Sequence, residues 1–108
     1  EVTVDGVKYP LGFDTLTFRT VTGAATITAV SDNVLLADAS GGAVTVALPA
    51  AADVTGRQFT IKKIDAAANA VTIDPDGAEL IDGATTYVIN AQYTSRTVAS
   101  DGTQWWII

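Results

Sequence analysis

Short runs in which β-branched apolar residues alternate with polar or small ones set a period of two along this chain. Ala43-Val44-Thr45-Val46-Ala47-Leu48, Phe59-Thr60-Ile61-Lys62, Ala70-Val71-Thr72-Ile73 and Thr86-Tyr87-Val88-Ile89 follow one another between Gly, Asp, Asn and Pro signals. A period of two places successive side chains on opposite faces of a strand, and the residues between the runs are those of tight turns. The pattern predicts an all-β fold of short antiparallel strands in a sandwich or barrel-like module, without room for helical crossovers.

The same signals divide the chain. Val2-Thr3-Val4-Asp5-Gly6-Val7-Lys8-Tyr9 reads as a hairpin around Asp5-Gly6, stopped by Pro10. Another strand is expected between Gly12 and Gly23. A boundary near Gly23 separates residues 1–23, an N-terminal hairpin or joining segment, from residues 24–108, a β-rich assembly domain. Strands are then expected over Thr26–Val30 and Asn33–Ala37. Val44, Val46 and Leu48 share a face in a strand closed by Pro49, and Ala50–Gly56 reads as a loop with at most one helical turn, too short to stand alone. Arg57–Ile64 is the next strand, then Val71 and Ile73 form an inward pair, and Asp101-Gly102-Thr103 marks a final hairpin. Gly42–Val46 echoes Asn69–Ile73, but one pair of matches does not establish a repeat.

Composition then narrows the function. The chain has no His and no Cys, which removes the usual neutral-pH proton shuttle and any disulfide. Its 108 residues fit one domain that buries about 65% of its unfolded surface, and its apolar content is weighted to Ala and Val. Extra burial between subunits would help such a core. A formal charge of −6 disfavours nucleic acid, whose binders concentrate Lys and Arg. No apolar run reaches the roughly 18 residues of a membrane-spanning helix, so no membrane insertion is expected, and no signal peptide is visible. The absence of Met, position 1 included, is expected of a processed chain or of a fragment of something longer.

Few residues offer chemistry. Asp74-Pro75-Asp76-Gly77 with Glu79 is the best calcium candidate, but it lacks the ligand series of an EF-hand loop and reads more simply as a turn, so no metal or other cofactor is expected. Paired carboxylates among Asp74, Asp76, Glu79 and Asp82 could serve glycoside hydrolysis only if they converged on a cleft. Ser40 lacks a nucleophile-elbow spacing and a histidine, and Gly41-Gly42 is not followed by the Lys of a phosphate loop. No enzymatic activity is expected. Lys63 falls on the face of Phe59 and Ile61, which requires a strand-end position, an acidic partner or a bulge. Lys62 and Lys63 could meet an anionic sugar, although solvated ends or intersubunit ion pairs account for them as well. Arg57 and Arg96 suit a shared interface carboxylate.

The most informative apolar segment is Trp105-Trp106-Ile107-Ile108. In a strand, Trp105 and Ile107 face one side and Trp106 and Ile108 the other, so both faces need cover. One can be the domain's own core and the other a neighbouring subunit. The indole of Trp106, like the rings of Tyr87 and Tyr93, could instead stack on a pyranose.

From about Val34 to Ile108 the chain resembles the β-rich module of phage tail fibres and tailspikes. The segments that carry the resemblance are Asp38–Val46, Leu48-Pro49, Phe59–Lys63, Asn69–Ile73, Ile81-Asp82-Gly83 and Ser100–Trp105, in that order. The resemblance implies a homotrimer that stabilises a virion appendage outside the cell, joined to other tail domains, with a carbohydrate-binding tip for host attachment as the alternative.

Overall fold

A computed structural model of the chain describes residues 2–4, 7–9, 16–28 and 32–108. The strands are β1 (Val2–Val4), β2 (Val7–Tyr9), β3 (Phe18–Val21), β4 (Ala24–Thr26), β5 (Val34–Ala37), β6 (Val44–Ala47), β7 (Gln58–Lys63), β8 (Val71–Asp74), β9 (Tyr87–Ile89), β10 (Ser95–Ser100) and β11 (Trp105–Ile107). β1 and β2 pair antiparallel, as the hairpin reading requires. The Asp5-Gly6 turn, the stop at Pro10 and the expected strand residues Ala29 and Val30 lie outside the described residues.

The rest is all-β, in two mixed sheets with one core between them. The strand order is β11-β10-β7-β5-β3 in the larger sheet and β4-β6-β8-β9 in the smaller. From β3 to β8 the chain alternates between the sheets, so β3–β4, β5–β6 and β7–β8 are three two-strand rungs stacked in parallel. The two-sheet reading therefore holds, but uniformly antiparallel pairing does not. β7–β10, β10–β11 and β8–β9 are antiparallel, whereas β3–β5, β5–β7, β4–β6 and β6–β8 are parallel. A parallel pair needs a long crossover, and here a strand of the opposite sheet supplies it in place of a helix. The echo between Gly42–Val46 and Asn69–Ile73 is this stacking, with Val44 opposite Val71, Thr45 opposite Thr72 and Val46 opposite Ile73.

Register explains the core. Leu35 and Ile61 form an inward row that ends on Arg19 at β3 and on Arg96 at β10. Arg19 donates from Nε and Nη2 to the two Asp32 carboxylate oxygens, at 3.1 and 2.9 Å, and from Nη2 to the Thr26 carbonyl at 2.9 Å. Arg96 donates to the Tyr87 hydroxyl at 2.9 Å and stacks over its ring. A charge pointing inward from an edge strand such as β3 discourages further strand pairing there. Phe18–Val21, which lies before the boundary read at Gly23, is thus hydrogen-bonded into the larger sheet.

Lys63 is fully buried, and its ammonium donates to Asp65 at 2.7 Å. Of the alternatives its inward position left open, Lys63 thus has an acidic partner and also stands at the end of its strand. The other Asp65 oxygen accepts the Ala39 N–H at 2.8 Å, so the pair also ties the turn after β5 to the turn after β7. Ala51–Asp53 forms one helical turn, of the 3-10 type. It lacks a side-chain cap of its own, but the Glu79 carboxylate accepts the Ala51 N–H and the Ser100 hydroxyl donates to the Ala51 carbonyl. Among the described residues, no helix is long and apolar enough to cross a membrane.

Candidate functional site

The Asp101–Gln104 turn delivers β11 to one side of the larger sheet. The Asp101 Oδ1 accepts the N–H groups of Thr103 and Gln104, each at 2.8 Å, as a side chain that closes its own turn does. Gly102 takes φ +96, a conformation that favours glycine, and a Cβ there would stand 3.0 Å from the Thr55 hydroxyl.

β11 then separates its side chains as the alternation requires. Trp105 is fully buried, with its ring centroid 6.1 Å from that of Phe59, and its indole N–H donates to Glu79 at 3.1 Å. Ile107 packs partly against the same core. Trp106 and Ile108 stand on the outer face, 48% and 69% exposed. The free edge of β11 is partly covered by Leu80–Asp82, through Trp105 N–H to the Leu80 carbonyl and Ile107 N–H to the Asp82 carboxylate.

Following the registers across the sheet gives the composition of that outer face. One row runs Phe18, Val34, Thr60, Thr97 and, beside Thr97, Ile108. Phe18 is 60% exposed, and the Thr60 and Thr97 hydroxyls hydrogen-bond each other at 2.9 Å. The row on one side runs Thr20, Leu36, Lys62 and Ser95. The row on the other side runs Gln58, Ala99 and Trp106. Lys62 is the sole formal charge among these strand residues.

At the Trp106 end, the indole N–H donates to Asp101 Oδ2 at 2.8 Å, which fixes the ring's orientation. The Gln104 N–H, the Trp106 indole and the Thr103 N–H hold the Asp101 carboxyl below its ordinary pKa. At the opposite end, the Lys62 ammonium lies 5.8 Å from the centroid of the Tyr93 ring. Tyr93 is 64% exposed and takes φ +65, a left-handed conformation uncommon for a bulky residue. Its N–H donates to the Lys63 carbonyl at 2.7 Å.

The three aromatic residues named for sugar contact are not brought together. Tyr87 is half-buried, packs against the core and engages Arg96, whereas Trp106 and the Lys62–Tyr93 pair belong to the larger sheet's outer side. Within the chain Arg96 meets the phenol of Tyr87, and Arg57 lies over the Phe59 ring. Of the carboxylates of the calcium candidate, Glu79 accepts from Ala51 and Trp105, and Asp74 and Asp76 are exposed; Asp82, named with them only as a paired carboxylate, accepts from Ile107. Among the described residues, no three such side chains group as metal ligands. Ser40, Gly41 and Gly42 line an open recess of about 490 Å³ beside Thr22, Gly23 and Asp38, with no cationic side chain among the described residues of its lining.

Sequence reasoning placed Trp106 and Ile108 on one face but did not set Phe18 or the Thr60–Thr97 pair beside them, because strand register, which joins them into a row, is not encoded in any one segment. Asp101 was legible only as a turn residue. No protein-family model matches the chain, and no curated protein matches it.

Proposed function

We propose that this domain is a structural assembly module of a virion appendage of the tail-fibre or tailspike kind, associating as a homotrimer and working outside the cell beside other tail domains. The observation that carries the reading is a row without charged side chains, Phe18–Val34–Thr60–Thr97–Ile108, which runs from β3 to the residue after β11 with Phe18 and Ile108 exposed at its ends and Val34 buried within it. Depletion of charge and enrichment of large apolar side chains mark the centre of a protein–protein interface. A small core rich in Ala and Val adds a reason to bury this face, since association stabilises the folded chain by mass action. The order of motifs from Val34 to Ile108 supplies the tail-fibre part of the reading.

Ile108→Asp tests it. The substitution sets a charge on the outer face without entering the core, because Ile108 is largely exposed. The expected result is a trimer that dissociates to a folded monomer, read by sedimentation. A variant that sediments as the parent chain does would remove this face from the assembly.

A further inference from the structure

We infer that Asp76, followed by Gly77, is a covalent modification site, at which the pair converts spontaneously through a cyclic imide to an isoaspartyl linkage, while the fold protects Asp82-Gly83 and Asp101-Gly102 from the same reaction. The inference does not rest on the proposed assembly, since it concerns the loop that follows β8 of the smaller sheet.

The reaction needs a carboxyl free to turn back along the chain and a following N–H free to attack it. The Gly77 nitrogen bonds to Asp76 Cγ and gives up its proton, and the carboxyl's hydroxyl leaves with that proton as water, which closes a five-membered imide ring. Water then opens the ring. Opening at the main-chain carbonyl routes the backbone through Cγ, so the chain gains a methylene and the former main-chain carbonyl becomes a free carboxylate. Nothing is oxidised or reduced, and the water lost on closure is regained on opening. A glycine after the aspartate favours closure because it has no side chain to crowd the nitrogen.

The structure separates the aspartates by what holds them. Asp76 and Gly77 are both exposed, and among the described residues neither the Asp76 carboxylate nor the Gly77 N–H has a hydrogen-bond partner. A Cβ at Gly77 would have no atom within 4 Å, so the space around the attacking nitrogen is open. Asp74 is excluded, because Pro75 has no N–H. Asp82 is pinned in the turn that Ile81 and Ala84 close with reciprocal hydrogen bonds of 2.8 and 2.9 Å, and its carboxylate accepts the Ile107 N–H at 3.0 Å, away from its own main chain. Asp101 is held more firmly still. Its two oxygens accept from Thr103, Gln104 and Trp106, and the Gly102 N–H that would attack donates instead to the Ser100 hydroxyl at 3.0 Å. The Gln104 N–H, the Trp106 indole and the Thr103 N–H also lower the Asp101 pKa, and an ionised carboxylate gives up its oxygen less readily than the acid does.

The change reaches the core through Glu79. Its N–H donates to the Asp76 carbonyl at 3.0 Å, and that carbonyl is the group the rearrangement takes out of the main chain. The Glu79 carboxylate in turn accepts the Ala51 N–H and the Trp105 indole N–H, each at 3.1 Å. A loop lengthened at Asp76 therefore loosens the brace on Trp105, and the aged chain is less stable than the fresh one.

The test ages the intact chain in warm neutral buffer, once folded and once in urea, and follows each Asp-Gly pair by peptide mapping with electron-transfer fragmentation, which distinguishes the two linkages. In urea the three pairs should convert at comparable rates. In the folded chain Asp76 should convert about tenfold or more faster than Asp82 and Asp101, because each of those must first give up hydrogen bonds to its charged oxygens. Asp76→Glu keeps the charge and would need a larger ring, so its urea midpoint should hold on ageing while that of the parent chain falls as isoaspartate accumulates at position 76. A folded chain that forms no isoaspartate at Asp76, or one in which Asp82 or Asp101 keeps pace with it, would overturn the inference. An aged parent chain that carries the modification and unfolds as the fresh one does would overturn the link to Trp105.

Discussion

Truncation of Trp105 removes the largest fully buried side chain of the domain. An indole buries roughly 150–250 Å², which at about 25 cal/mol per Å² gives an upper estimate of about 4–6 kcal/mol. Core aromatic-to-alanine substitutions cost about 3–5 kcal/mol, because the surroundings relax only in part. Trp105→Ala should lie in that range, since Phe59 loses its ring partner and the indole's hydrogen bond to Glu79 goes with it. Trp105→Phe separates the two effects. It keeps a ring beside Phe59 and gives up the donor to a charged acceptor, a loss of about 1.5–3 kcal/mol whose lower end applies because Glu79 still holds the Ala51 N–H. Urea unfolding at one fixed protein concentration provides the assay, with the midpoint shifted and the slope unchanged. For a domain of ordinary stability, about 5–15 kcal/mol, the alanine variant should be largely destabilised. A cost below about 1 kcal/mol for Trp105→Ala would refute the account of the core. Equal costs for the two variants would refute the division between packing and hydrogen bonding.

At the other end of β7, Asp65→Ala should destabilise more than Lys63→Met, because it leaves a buried ammonium without its partner, whereas the methionine variant leaves Asp65 with the N–H groups of Ala39 and Ala67. The reverse order in urea melts would contradict this. The hydrogen bond from Lys63 is the main cause of a lowered Asp65 pKa, and a carboxyl depressed on folding contributes stability that is complete above the unfolded value, about pH 4, and fades as pH falls through the folded one. A carboxyl-carbon NMR titration should find Asp65 still ionised where exposed aspartates have protonated, and a midpoint above theirs would reject the linkage. Excess EDTA at fixed pH and ionic strength should leave the melting curve unchanged, since Glu79 is engaged by donors of the chain itself and, among the described residues, no three such side chains group as ligands. A calcium-reversible drop in melting temperature would instead show a site.

What the sequence made legible was the local alternation. Val44, Val46, Val71 and Ile73 point inward, Trp105 and Trp106 separate to opposite faces, and Lys63 has an acidic partner, one of the three resolutions its position left open. Partner choice was not legible, because alternation sets which face a side chain takes and leaves open which strand lies beside it or in which direction. The echo at Gly42 and Asn69 was the single written trace of parallel stacking. A strand was expected where β3 lies, but its place in the larger sheet was not legible, because its inward residues are Arg19 and Val21 and an inward arginine breaks the apolar alternation of a buried strand. Glu79 stands in a calcium candidate that reads more simply as a turn, and its actual role stayed hidden for a similar reason. Its partners, Ala51 and Trp105, lie 28 and 26 residues away, and no local pattern connects them.

The native mass of the chain tests the assembly reading most directly. Sedimentation or native mass spectrometry across a wide concentration range should give about three times 11.1 kDa. A mass that stays at 11.1 kDa throughout would contradict it.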